Sequence, residues 1–188
     1  SKGIDSAVST ANWGFANSAA SLVLSVLAPV LGAIADNKGI KKKFLFLFLM
    51  TGVVFTSMFI LVGEGDWILC TVLYVMASVG FMGANVFYDA FLNDVASGER
   101  ADWISSNGYA WGYIGSVIPF ILSLVILQKP SLFGIASKLT ATRAVFIITA
   151  VWWFLCSIPL LVNVRQVHGV EGAKHPVRDS FLRLYGTF

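Results

Sequence analysis

The chain has 188 residues, of which 57% are hydrophobic and only 12% are charged. A soluble domain carries about 25% charged residues, so this composition excludes an ordinary water-soluble globular domain. The formal net charge is +3, and the basic residues lie between apolar segments rather than on one face, which argues against a nucleic-acid partner. We therefore predict an all-α, polytopic membrane protein whose main surroundings are the lipid bilayer.

Five apolar segments follow one another along the chain, each near the ~20 residues that a helix needs to cross a ~30 Å hydrocarbon core. They predict helices at 11–35, 44–61, 67–91, 107–127 and 145–164. Helices are favoured over strands because a helix satisfies its own backbone polar groups in lipid. Residues 1–164 are thus predicted to form a transmembrane bundle.

The tail, residues 165–188, is predicted to be a cytoplasmic linker. Its residues Phe181, Leu184 and Tyr185 can share one face of a helix, with Arg178 beside it. This pattern indicates an amphipathic helix lying on the membrane surface, and a frayed terminus is the alternative.

A short basic loop joins the first two predicted helices and contains the most specific motif of the chain. The key positions are Gly32, Asp36, Gly39, Lys41 and Lys42. By composition alone they form a turn with cytoplasmic cations between two membrane helices. Their order (glycine, three residues, aspartate, two residues, glycine, one residue, two basic residues) resembles the signature loop of the major facilitator superfamily. Members of that superfamily are transporters with two bundles of six helices. The resemblance implies that this chain belongs to such a transporter and that these residues have a gating role. The alternative for Asp36 is a solvated interfacial carboxylate.

In that superfamily the signature loop follows the second helix, whereas here it follows the first predicted one. We therefore expect the chain to cover about helices 2 to 6 of twelve, as part of the N-terminal six-helix bundle. The missing C-terminal bundle of the same chain is then an expected partner.

The lysines and arginines predict the orientation in the membrane. If the basic loop is cytoplasmic, the inside residues are Lys38, Lys41, Lys42, Lys43, Arg100, Arg165, Lys174, Arg178 and Arg183. The outside residues are Lys2, Lys129, Lys138 and Arg143. The excess on the side of the basic loop agrees with the positive-inside rule.

The third predicted helix carries a polar face. Thr71, Ser78 and Asn85 recur at a spacing of seven residues, and Asp89 lies one turn beyond Asn85. Ionisable residues on membrane helices usually face the protein interior or a water-filled cavity. Asn85 and Asp89 are therefore candidates for a substrate or proton site. The alternative is that Asp89 is an interfacial carboxylate bonded to a neighbouring helix.

Two stretches narrow the family. Residues 85–96 read Asn-Val-Phe-Tyr-Asp-Ala-Phe-Leu-Asn-Asp-Val-Ala, and residues 105–115 read Ser-Ser-Asn-Gly-Tyr-Ala-Trp-Gly-Tyr-Ile-Gly. Together with Ala28–Asp36 they resemble the vacuole-effluxer-like branch of the major facilitators. Its fungal members are associated with amino-acid efflux from the vacuole. The resemblance implies a vacuolar or other internal membrane in a eukaryote and the plasma membrane in a bacterium.

Glycines recur in the fourth predicted helix at positions 108, 112 and 115. Small residues at this spacing let two membrane helices approach closely. Gly108, Gly112 and Gly115 are therefore predicted to be helix-packing residues.

The leading hypothesis is a secondary active transporter for a small solute, amino acids among the candidates, with protons as the candidate coupling ion. No enzyme activity, cofactor or metal is expected, and Cys70 and Cys156 are assigned neither a disulfide nor a metal. One alternative is a membrane-embedded enzyme that uses Asp89, Asp94, Glu99 and Asp102 with a metal. Another is a non-transporting receptor on the same fold.

Overall fold

The computed structural model describes residues 6–35, 39–96 and 100–168, and every regular element in them is helical. The long helices are α1 (Ser6–Ala35), α2 (Lys41–Ser57), α3 (Trp67–Ala90), α5 (Arg100–Gln128) and α6 (Lys138–Asn163). A short helix, α4 (Leu92–Val95), follows α3, and 3-10 turns at Met58–Leu61 and Pro130–Phe133 follow α2 and α5.

Five stretches in this part of the chain are helical, long and apolar enough to cross a membrane. They are Thr10–Gly32, Lys41–Leu61, Trp67–Val95, Arg100–Gln128 and Lys138–Asn163. The predicted fold class is confirmed: the chain is an all-α, multi-pass integral membrane protein.

Several helices begin earlier than the apolar segments predict. The difference is largest, seven residues, in two helices, of which α5 begins at Arg100 rather than at residue 107, because its first turns are polar and escape a search for apolar residues. Likewise α6 begins at Lys138 rather than at residue 145. Its start is fixed by Ser137, whose hydroxyl oxygen accepts the backbone N–H of Thr140 at 3.1 Å. A serine in this position satisfies one of the free N–H groups of the first helical turn.

The central helix of the bundle is α3, which packs against both α1 and α2. Their main apolar cluster comprises Leu31, Ile34, Ala35, Leu45, Ala84, Phe87 and Phe91. The ring of Phe87 is fully buried and stacks on Phe44 and Phe48, with ring centroids 5.4 and 5.9 Å apart. This cluster lies toward the end of the bundle where α1 ends and α2 begins.

Glycines bring α2 and α3 together at their midpoints. A Cβ atom added at Gly80 would lie 2.6 Å from the Cα atom of Gly52 and 2.9 Å from the carbonyl oxygen of Phe48. Both are backbone atoms, which cannot rotate away. Close approach through small residues is how membrane helices gain packing energy where no hydrophobic effect drives them together.

At the opposite end, polar side chains tie neighbouring helices. The Arg143 guanidinium donates from Nε and Nη2 to the carbonyl oxygen of Val62, at 3.3 and 2.8 Å. The Tyr74 hydroxyl donates to Oδ1 of Asn17 at 2.8 Å, and its ring packs on that of Trp13. These contacts connect α6 to the turn after α2, and α1 to α3.

In contrast, α5 packs mainly along α6 and the short α4. Most of its large apolar and aromatic side chains are exposed, including Trp111, Tyr113 and Phe120. An open cleft therefore separates α5 from α3.

Candidate functional site

The first candidate site is the lysine-rich end of the bundle, defined here as residues 39–43, 90–94 and 164–168. The chain turns into α2 at Gly39, whose φ of +80° lies in the left-handed region. Only glycine adopts this conformation without steric cost, which explains why the motif has a glycine at this point. The turn is followed directly by Lys41, the first residue of α2.

Lys41 is buried, with 4% of its surface exposed. Its Nζ atom lies 2.9 Å from Oδ2 of Asp94 and donates to the carbonyl oxygen of Ala90 at 3.1 Å. The carbonyl groups at the end of α3 carry partial negative charge and favour a cation. A buried ammonium group needs such partners, because leaving it unpaired away from water is very costly.

The carboxylate of Asp94 is completely buried and accepts two further hydrogen bonds. Its Oδ1 atom accepts the backbone N–H groups of Val167 at 2.9 Å and His168 at 2.6 Å, and Nδ1 of His168 lies 3.5 Å away. One carboxylate thus joins three parts of the chain: the start of α2, the end of α3 with α4, and the segment after α6.

Of the predicted gating residues, the structure brings only Lys41 into this ion pair. Gly39 forms the turn, and Gly32 lies near the end of α1, where no described atom comes within 4 Å of an added Cβ atom. Lys42 is half-buried. Asp36 lies outside the described residues, as does the predicted amphipathic helix in the tail. The gating role of this loop stays a prediction.

Sequence reasoning missed the partnership between Lys41 and Asp94. The signal was available, because two antiparallel helices joined in sequence place the start of α2 and the end of α3 at the same end of the bundle. A lysine in the first turn of one helix and a carboxylate just after the other are then natural partners. From the sequence, Asp94 is predicted only as a metal ligand of the alternative enzyme.

The carboxylates of that enzyme hypothesis do not form a metal cluster within the described residues. No three His, Cys, Asp or Glu side chains there are grouped as metal ligands. Asp94 is occupied by Lys41, while Asp89 lines a separate cleft. Glu99 lies outside the described residues.

The second candidate site is the cleft between α3, α5 and α6, with a volume of about 1280 Å³. Its walls are mostly apolar and aromatic, with Tyr88, Trp111 and Trp152 among the lining residues. Asp89 lines this cleft, and its carboxylate has no hydrogen-bond or ion-pair partner among the described residues. The alternative in which Asp89 ties its helix to a neighbour thus finds no such neighbour within 6–35, 39–96 and 100–168.

The rest of the predicted polar face does not gather at Asp89. Asn85 is exposed but lines neither of the two large cavities. The Thr71 hydroxyl donates to the carbonyl oxygen of Trp67, one turn back in its own helix. Ser78 lines a second cavity, of about 690 Å³, between α1, α3 and α6. The structure therefore brings Asp89 alone of these four residues into the larger cleft.

The two cavities meet at a pair of aromatic rings. Phe81 and Trp153 line both, and their rings lie edge to face with centroids 5.7 Å apart. The predicted packing residues Gly108, Gly112 and Gly115 line the larger cleft on the α5 side. Of the three, only Gly108 has a described atom within 4 Å of an added Cβ atom, namely the Tyr88 hydroxyl oxygen at 3.4 Å. A packing role for all three stays a prediction.

Comparison with known proteins agrees with these observations. The family model described as "Vacuole effluxer Atg22 like" matches residues 8–100 and 93–188. The uncharacterized MFS-type transporter YxiO of Bacillus subtilis (strain 168) is 40% identical over 186 residues, which cover 98% of this chain and 44% of YxiO. Autophagy-related protein 22 of Pichia angusta is 25% identical over 159 residues, which cover 74% of this chain and 28% of that protein.

The chain spans less than half the length of these curated relatives. No solved structure matches it significantly. Because the family model covers nearly the whole chain, and a relative with 40% identity covers 98% of it, the chain belongs to the vacuole effluxer Atg22-like family.

Proposed function

We propose that the chain is part of a secondary transporter that moves a small solute across a membrane by alternating access. Amino acids are the proposed substrate class, and protons are the proposed coupling ion. The family and the transporter name of the bacterial relative support transport in general. The finer proposal rests on Asp89, whose carboxylate lines an aromatic cleft and has no hydrogen-bond or ion-pair partner among the described residues.

A carboxylate in such a cleft can take a proton or hold the amino group of a solute. Aromatic faces that line the same cleft can add attraction for a bound cation, typically ~0.5–2 kcal/mol each. Charged residues within membrane segments are costly and are usually retained at ion or substrate pathways. Tyr88 and Trp152, which share the cleft with Asp89, are suitable walls for an ammonium group.

The lysine-rich end is the proposed gate. In alternating access, one bundle moves against another around a site near the middle of the membrane. A loop that connects α1 to α2 and is anchored by the Lys41–Asp94 ion pair would move with these helices. The C-terminal bundle of the full-length protein is the proposed partner of this loop, and Asp36 is the proposed residue for that contact.

Counterflow in proteoliposomes tests the proposal. Full-length protein is reconstituted with a high internal concentration of one unlabelled amino acid, and uptake of the labelled amino acid is followed for a panel of the twenty. We expect transient, saturable accumulation for one or a few of them. Binding without any counterflow would favour the receptor, and metal-dependent turnover of a lipid would favour the enzyme.

The gating role has its own test in Asp36→Asn, which removes the charge while nearly preserving the shape. A coupling free energy of ~1–3 kcal/mol corresponds to a shift of about 5–150-fold in the equilibrium between open states. Counterflow should fall while the amount of protein in the membrane stays normal. Unchanged kinetics would make Asp36 a solvated loop residue.

A further inference from the structure

The segment that follows α6 is held in an unusual way. Val164 has an extended backbone, with φ −82° and ψ 132°, and its side chain packs against the main apolar cluster. Beyond it, Val167 and His168 are exposed, and 61% of the surface of Val167 is accessible. Apolar burial therefore does not hold the last described residues in place.

Polar contacts to the lysine-rich end hold them instead. The N–H groups of Val167 and His168 both donate to Oδ1 of Asp94. The backbone N–H of Lys41 donates to Oε1 of Gln166 at 3.3 Å, and Nε2 of Gln166 donates to the His168 carbonyl oxygen at 3.1 Å. Hydrogen bonds to an ionised carboxylate are roughly twice as strong as neutral ones, so Asp94 is the main attachment.

The two carboxylate oxygens of Asp94 bind different groups. Oδ2 takes the Lys41 ammonium group, and Oδ1 takes the two backbone N–H groups. Because one rigid carboxylate group serves both sides, it cannot turn toward one without moving from the other. The position of the segment after α6 is thereby linked to the ion pair at the start of α2.

We propose that Asp94 is a positioning residue that clips the segment 164–168 to the lysine-rich end, so that the chain leaves the bundle from a point fixed by the Lys41 ion pair. Only the role of this clip rests on the proposed function: in a transporter it would make the gating loop and the outgoing chain move together. Its existence can be measured without any transport.

Spin-label distances in the full-length protein test the clip. One label at the exposed Glu64 and one at Val167 lie at opposite ends of the bundle, separated by about the length of α3, ~36 Å at ~1.5 Å per residue. A matched pair uses Glu64 with the exposed Asn93, next to Asp94 on α4. Both pairs are made after Cys70 and Cys156 are replaced by serine.

Asp94→Asn removes the charge on which both attachments depend. We expect loss of the narrow 64–167 distance distribution, while the 64–93 distribution stays narrow. An unchanged 64–167 distribution would overturn the proposal. Broadening of both pairs would also overturn it, because it would show general loosening of the helix ends.

His168→Pro gives a second test that leaves Asp94 and Lys41 untouched. Proline has no backbone N–H, so it removes the donor that lies 2.6 Å from Oδ1. The matched control is His168→Ala, which keeps the N–H but loses the imidazole ring. We expect a broad 64–167 distribution for the proline variant and a narrow one for the alanine variant. Equal distributions for the two would contradict a clip made by the backbone.

Counterflow measured on the unsubstituted full-length protein separates this proposal from the proposed function. A broadened 64–167 distribution in the two variants, together with no counterflow of any solute by the unsubstituted protein, would leave the clip standing and overturn the transporter. Narrow distributions in the variants, together with robust counterflow by the unsubstituted protein, would overturn the clip and leave the transporter standing.

Discussion

The interface between α2 and α3 and the cleft beside α5 use glycines in opposite ways. At Gly80 the backbone of α2 fills the space that a side chain would need, whereas an added Cβ atom at Gly112 or Gly115 has no described atom within 4 Å. The comparison teaches that a small-residue spacing shows which helix face permits close approach, but not whether a partner occupies it. In the closest approach of the two backbones, α2 and α3 both have a glycine, Gly52 and Gly80.

The largest loss of stability is expected from breaking the Lys41–Asp94 ion pair at the lysine-rich end of α2 and α3. Lys41→Met leaves the buried Asp94 carboxylate without its cation, and breaking a buried pair in this way costs about 3–5 kcal/mol. We expect a marked loss of free energy of unfolding in full-length protein, measured by denaturant titration in detergent micelles. Lys41→Arg, which keeps the charge, is the matched control. Wild-type stability for the methionine variant would mean that water reaches Asp94 freely.

The glycine contact between α2 and α3 gives the next largest effect. Gly80→Ala places a Cβ atom against backbone atoms of Gly52 and Phe48. Overpacking of this kind costs about 1–3 kcal/mol, because the two helices must separate. The loss of stability can be measured by heating the purified full-length protein and recording the temperature at which it ceases to be monodisperse. If the variant is as stable as wild type, Gly80 does not contact the backbone of α2 in the membrane.

Gly112→Ala tests the other side of the comparison. We expect a change in free energy of unfolding below about 1 kcal/mol, since no described atom obstructs the new methyl group and alanine has the better helix propensity. The same thermal unfolding assay applies. A loss as large as that of Gly80→Ala would break the contrast, and would show that a helix from outside the described residues packs on α5.

Asp89→Asn should have the smallest effect on stability, within about 0.5 kcal/mol, since no described residue forms a hydrogen bond or an ion pair with this carboxylate. Its effect on function should be large, because a coupling residue that cannot ionise no longer exchanges a proton. We expect loss of uphill accumulation in proteoliposomes, while counterflow exchange persists. Asn85→Ala is the control on the same helix. Normal accumulation with the Asp89 variant would rule out proton coupling at this residue.

Much of the architecture was predictable from the sequence, because membrane helices are long, apolar and separated by polar turns. The five spans, the turn at Gly39 and the family followed from such local patterns. The helix starts at Arg100 and Lys138 did not, because polar first turns outside the hydrocarbon carry no apolar signal.

The side-chain partners were harder to predict. Lys41 and Asp94 are far apart in the sequence, and their pairing depends on two helix ends lying at the same depth in the same end of the bundle. The grouping of Asn85 with Asp89 was based on helical spacing alone. That spacing places residues on one face but does not show where a neighbouring helix leaves space, and the cleft includes only Asp89 of that face.

The clip at Asp94 has a consequence for sequence drift within the family. Its donors are the backbone N–H groups of Val167 and His168, which any amino acid except proline provides. We expect positions 167 and 168 to accept almost any side chain over evolutionary time. Position 94 should by contrast tolerate little change. Of the two partners in the clip, only the side-chain acceptor at position 94 would then be visible as a conserved residue.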